Sequence, residues 1–309
     1  MAAKSIKSQM TWGMGSLAVA VAAAYLGFAT TDSIQLPTAS DWVKRAPAVP
    51  VSKTLPQAAT AYPLKPVATP LTIPRVLVAD LPSDLTTLTN VEARKQLFIR
   101  TVLPLIVEVN DLITADRSRL MALKAQYDSG RSLSDRDVAW LESLMKDYRV
   151  KVLDWDLLLR RVDTVPPSLA IAQAATESAW GTSRFAQEGN ALFGQWMWSD
   201  EGMIPEERPE DATHSVRRFA TPLASVMAYA RNLNTHDFYH RFRALRDELR
   251  DTGENRPGLV LASTLDGYSE RREAYVDELR KIIASNNLQA LNTARFGKPG
   301  DQIALNDAR

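Results

Sequence analysis

Nine of the chain's 17 prolines fall between residues 37 and 82, and this uneven distribution fixes where a folded body can begin. Proline withholds a backbone N–H and clashes with the preceding helical turn, so a segment carrying one every few residues builds neither a long helix nor a central strand. Residues 32–85 also hold many Ala, Thr and Val and few aromatics, a composition that favours an extended tether. The folded body is therefore expected from residue 86 onward. Ahead of the tether, Lys4 and Lys7 precede an uncharged run from Met10 to Thr31 that is rich in Ala, Leu and Val. This is either an export signal, cleaved after the small residues ending at Ala29, or an uncleaved membrane anchor occupying residues 1–31. The basic residues precede the run and the next one is Lys44, so either reading places the bulk of the chain outside the cytoplasm.

The remaining length admits one sizeable domain with extensions, and 45% hydrophobic residues among 309 suffice for its core. Lys and Arg total 37 against 36 Asp and Glu, a net charge of +1 that gives no electrostatic footprint for nucleic acid. The absence of cysteine removes disulfides, thiolate metal sites and a thiol nucleophile. Only His214, His236 and His240 remain as imidazoles, too irregularly spaced to suggest a metal site; neither a metal nor an organic cofactor is expected.

Helical patterning begins near residue 89. Thr89 and Glu92 read as a capping box, and Leu97, Phe98, Val102, Leu105, Ile106, Val109, Leu112 and Ile113 line one face, with Pro104 expected to kink the helix. A second helix opens at Ser134, with Val138, Leu141, Met145 and Tyr148 on one face. Further helices are expected from Pro167 or Ser168 to near Gly181, from Thr221-Pro222, near 243–249, near 257–265 and from Ser269 to about Ser285, followed by a polar tail over 288–309. Between Gly194 and Phe219 helical periodicity is lost in "QWMWSDEGMIPEERPEDATHSVRRF", which fits a small hairpin or irregular lobe. The body divides into a helical extension, 86–165, and a core, 166–287.

One stretch of that core stands out. "PSLAIAQAATESAWGTSRFAQEGNALFG", residues 167–194, sets Glu177 in a run of small and apolar residues. Helical spacing puts Gln173, Glu177 and Trp180 or Gly181 on one face, and the helix end at Gly181 puts Glu177 in the last turn. Burial and the carbonyl end of the helix dipole both disfavour the ionised carboxylate, which suits a general acid. The same pattern fits a buried structural glutamate bonded to Gln173.

"AQAATESAWGTSRFAQEGNALFG" resembles the signature of glycoside hydrolase family 73, the glucosaminidase-type peptidoglycan hydrolases. "YARNLNTHDFYHRFR" and "LDGYSERREAYVDELRKII" resemble the Bax-type branch of that family, and the likeness runs over about residues 90–287. The resemblance implies a mainly α, lysozyme-like domain with a small β lobe, acting on peptidoglycan glycan strands in the periplasm or cell envelope. It implies cleavage of the β-1,4 bond on the reducing side of N-acetylglucosamine, with Glu177 as general acid and Tyr268 beside the reacting sugar. By the same likeness Asn190, Phe193 and Tyr275 belong to the sugar cleft with Gln173. Trp180, Trp196 and Trp198 are either platforms for sugar rings or core residues. A second carboxylate, where the family has one, lies in the β lobe, where Glu207 and Glu210 rank ahead of their acidic neighbours; the substrate's own 2-acetamido group is the alternative. A lytic transglycosylase is the nearest enzymatic rival, but its Gly-Leu-Met-Gln type segment after the glutamate is absent. A non-catalytic glycan-binding or scaffold protein is the rival from another class. The N-terminal segment would add the membrane as a partner if uncleaved, and a regulatory envelope protein is a further expected partner.

Overall fold

The computed structural model describes residues 51–52, 64, 70–197, 202–206, 214–252 and 257–297. The expected signal or anchor, most of the tether, the end of the tail, and Trp198, Glu207 and Glu210 lie outside the described residues. Ten helices carry the described residues: α1 (Asp84–Thr87), α2 (Val91–Asp128), α3 (Asp135–Asp147), α4 (Trp155–Arg161), α5 (Pro167–Glu177), α6 (Arg184–Gly189), α7 (Pro222–Thr235), α8 (His240–Thr252), α9 (Pro257–Leu261) and α10 (Glu273–Ser285). Six strands of two residues each accompany them: β1 (Val51–Ser52), β2 (Thr72–Ile73), β3 (Leu77–Val78), β4 (Trp196–Met197), β5 (Ser215–Val216) and β6 (Arg295–Phe296). The fold is mainly α with a small β lobe, the architecture of a lysozyme-like domain.

α2 is the spine, about 57 Å long at 1.5 Å per residue. Its cap lies one residue later than expected: Asn90, not Thr89, accepts from the backbone N–H of Ala93 at 3.0 Å. Glu92 accepts instead from Gln96 Nε2 at 2.9 Å, so no capping box forms. The helix continues through Pro104 as one element. Ser134 caps α3 as anticipated, yet the buried face there is Leu141, Leu144 and Tyr148, while Val138 is exposed.

α5 lies at the centre, against α2, α9, α10 and the 3-10 turn Leu288–Leu291. Every residue from Pro167 to Ala175 is buried, the signature of a helix enclosed on all sides. Ala170, Ala172, Ala174 and Ala175 let its neighbours approach closely, while Leu169 and Ile171 supply apolar area worth about 1.5–3 kcal/mol apiece. Pro166 and Pro167 set the helix start, where their missing N–H groups cost nothing.

Two boundaries differ from expectation. Residues 71–85 do not belong to a tether: Leu71, Ile73, Leu77, Leu81 and Leu85 are buried in the main core. Nor are 288–297 a frayed tail, because Leu288 and Leu291 are buried and β6 pairs in parallel with β2, Thr72 opposite Arg295. The two ends of the domain thus close on each other. Tight two-residue strands between prolines leave no periodicity for sequence reasoning to detect.

Candidate active site

The last helical residue of α5 is Glu177, four residues short of the expected end at Gly181. The backbone turns sharply there. Ala179, Trp180 and Gly181 are consecutive residues in the left-handed region, with φ of 51°, 58° and 78°. For the two non-glycine residues this costs about 1–2 kcal/mol each, and Ser178 holds the turn by donating to Ala174 O at 2.6 Å and accepting from Gly181 N at 2.8 Å. Glycine is required at 181 by its φ and by space, since a Cβ would stand 2.9 Å from Leu85 Cδ1 and Phe98 Cδ2. Backbone strain concentrated directly after one carboxylate is a common mark of a functional site.

Helix α10 supplies the partner. Tyr275, fully buried, donates its hydroxyl to Glu177 Oε1 at 2.8 Å. Burial pushes the Glu177 carboxyl up from the ordinary 4.5 to about 7, although the Tyr275 donor and the Arg271 guanidinium pull the other way and Glu278 adds to the rise. Arg271 and Glu278 pair at 2.6 Å, and Arg271 lies 5.7 Å from the Tyr275 ring centroid. These two charges escaped sequence reasoning. Their only signal is the helical spacing Arg271, Tyr275, Glu278, which puts all three on one side of α10 and the turn before it.

Other anticipated residues fall into three groups. Tyr268 joins the cluster, its ring stacked parallel to Tyr275 at 5.6 Å and its hydroxyl donating to Phe193 O at 3.3 Å. Gln173 and Tyr275 were expected to contact sugar, but both are completely buried and act on side chains instead: Gln173 accepts from Tyr229 at 2.6 Å and donates to Tyr275 at 3.1 Å. Phe193 is likewise a core residue, stacked at 3.8 Å on Tyr229. Its loop is fixed to α7 by the bond from Leu192 N to Ser225 Oγ. Asn190 ends α6 in the left-handed region at φ 52°, a conformation asparagine tolerates, and its amide donates to Phe219 O and Asp80 Oδ1, both at 3.3 Å. Through that amide nitrogen Asn190 fastens the lobe and the segment before α1.

Trp180 is half-buried and packs edge-on against Phe98 of α2 with Lys95 over its ring. Trp196 in β4 stacks on His214 at 4.0 Å. The lobe is an antiparallel β4–β5 pair, Trp196 opposite Val216 and Met197 opposite Ser215, over a small cluster of Ala191, Met203 and Val216. Of its acidic residues, Glu206 is exposed and reaches Arg184 at 3.4 Å. His236 caps the end of α7, accepting from Phe238 N at 3.2 Å. Among the described residues no group of His, Asp or Glu could hold a metal ion, and no helix is long and apolar enough to cross a membrane.

A partly exposed carboxyl titrating near neutrality, held by a buried tyrosine at the strained end of a buried helix, can hold and release a proton at physiological pH. The sequence pattern of the Glucosaminidase family, described as mannosyl-glycoprotein endo-beta-N-acetylglucosaminidase, matches residues 158–288, which contain this whole cluster. The protein named "Protein bax" of Escherichia coli (strain K12) is 36% identical over 199 residues, covering 62% of this chain and 70% of that protein. No solved structure matches the chain at a significant level. The chain belongs to the family of Bax-type glucosaminidase-domain proteins.

Proposed function

We propose that this protein is a glycoside hydrolase of the cell envelope that cleaves the β-1,4 bond on the reducing side of N-acetylglucosamine in peptidoglycan glycan strands, with Glu177 as general acid. The observation that carries this reading is the Glu177 carboxyl, raised to about 7 by burial while hydrogen-bonded to Tyr275. A carboxyl that burial keeps protonated near neutrality is suited to donating a proton, and family membership supplies the substrate class.

In the reaction Glu177 donates its proton to the leaving glycosidic oxygen as the C1–O bond breaks, and the bonding pair goes to that oxygen. The 2-acetamido oxygen of the substrate closes on C1 as the bond opens, and water then opens the resulting ring, so that one water is consumed per bond cleaved. Tyr268, beside Tyr275, borders the reacting sugar. Glu207 or Glu210 of the lobe is the alternative second group, acting as a base on water.

Purified full-length protein, wild type beside Glu177→Gln, tests the reading on dye-labelled peptidoglycan. Wild type should release soluble dye, and the variant should be slower by about 10²–10⁴ because its amide cannot donate the proton. Equal release by both would dismiss Glu177 as the acid. Binding of both without any release would leave a glycan-binding or scaffold protein in place of the enzyme.

A further inference from the structure

Glu177 stands at the end of a line of four side chains that crosses the core through three helices. Tyr229 of α7 donates to Gln173 Oε1 at 2.6 Å, Gln173 Nε2 of α5 donates to the Tyr275 hydroxyl at 3.1 Å, and Tyr275 of α10 donates to Glu177 Oε1 at 2.8 Å. Tyr229, Gln173 and Tyr275 are all buried to within 1%. The amide is the one link with a fixed polarity, since its oxygen only accepts and its nitrogen only donates. With the Tyr229 hydroxyl at the oxygen end, the amide nitrogen faces Tyr275, which must accept there and spend its single proton on Glu177. A tyrosine held this way does not accept a proton from Oε1. Oε2 has no hydrogen-bond partner among the described residues.

We propose that Tyr229 and Gln173, neither of which touches the carboxyl, are positioning residues that fix Tyr275 as a one-way donor to Oε1 of Glu177 and so assign the transferable proton to Oε2. The inference rests on the reading of Glu177 as general acid and adds which oxygen delivers the proton and what keeps it there. As the proton passes from Oε2 to the glycosidic oxygen, the carboxylate left behind gains charge, and the Tyr275 bond strengthens because a hydrogen bond to an ionised acceptor is roughly twice as strong as a neutral one. The line therefore helps the transition state more than the ground state. The charges acting on the carboxyl are Arg271 and Glu278 on the α10 side. Tyr268 stands beside Tyr275 and Tyr239 beside Tyr229, while Lys95 of α2 lies over Trp180. None of these is altered by the variants below.

The test follows Glu177 ionisation in full-length protein by difference infrared spectroscopy of its carboxyl band, wild type against Glu177→Gln, from pH 5 to 9, beside the pH profile of dye release. Tyr275→Phe removes a donor to the charged form and should move the midpoint upward by about one pH unit. Tyr229→Phe keeps the ring on Phe193 and never touches Glu177, yet should move the midpoint in the same direction by a smaller amount, as should Gln173→Met. In a Tyr275→Phe background Tyr229→Phe should add nothing. A Tyr229→Phe midpoint equal to wild type, or a shift undiminished in that background, overturns the proposal. Thermal melting identifies any variant that fails to fold, and Gln173→Met then decides. A wild-type band that titrates without any dye release would instead sink the hydrolase reading and leave the line of bonds standing.

Discussion

Replacing Glu177 with Gln should stabilise the fold at alkaline pH. The carboxyl ionises at about 7 in the native chain against an ordinary 4.5. Between those values the native state holds a proton that the unfolded chain has lost, so stability falls as pH rises. Above both values the buried carboxylate costs the native state about 3 kcal/mol, from roughly 1.4 kcal/mol per pH unit over the interval. Glu177 is partly exposed, and solvent screening makes that figure an upper bound. Glutamine keeps an oxygen to accept from Tyr275 and carries no charge. Urea unfolding of both proteins at pH 4.5, 6, 7, 8 and 9 measures the difference. The two should be nearly equal at pH 4.5, with the variant gaining progressively up to pH 8 and then levelling. A difference that does not change with pH, or a variant less stable at pH 9, would refute the burial of an ionisable acid on which the site rests.

Further outcomes follow from the same geometry. Glycan release should decline as pH rises through about 7, approaching tenfold per pH unit above it, because only the protonated form of Glu177 donates; the pH dependence of kcat/KM measures this. Gly181→Ala forces a left-handed φ of 78° on a residue with a Cβ and drives it into Leu85 and Phe98, and should cost about 2–3 kcal/mol by urea unfolding. Asp163→Asn strips the carboxylate facing Arg246 at 3.2 Å and the Arg250 guanidinium, where Asp163 and Arg246 are both buried, and should destabilise by about 3–5 kcal/mol. A chain starting at residue 86 loses five buried leucine and isoleucine side chains from 71–85, each worth about 1.5–3 kcal/mol, and should be insoluble or molten by near-ultraviolet circular dichroism.

Local signals in the sequence translated well where one helix carried them. The caps at Ser134 and Thr221 form as their residue types dictate, with Thr221 accepting from Ala224 N. The four-residue spacing did put Gln173 and Glu177 on one side of α5, where both meet the same tyrosine, Tyr275. Roles that depend on distant partners were illegible. Gln173 and Tyr275 are 102 residues apart, and nothing in either segment says that an amide on one will bridge two hydroxyls rather than a sugar. Asn190 was ambiguous for a different reason: a left-handed helix end and a sugar-binding loop both select asparagine, and its φ and its bonds to Phe219 and Asp80 establish the first of these roles. Residues 71–85 were lost to composition, since proline-rich sequence hides an apolar alternation of Leu71, Ile73 and Leu77; the pairing partner of β2, β6, lies over 200 residues away, while Leu77 of β3 pairs with Val51 of β1.

The most direct test of the account is mass spectrometry of the chain ends released from purified peptidoglycan by the full-length protein and by Glu177→Gln. New reducing N-acetylglucosamine ends from wild type alone are predicted. Anhydro-muramic ends would identify a transglycosylase, and reducing ends produced equally by the variant would contradict Glu177 as the proton donor.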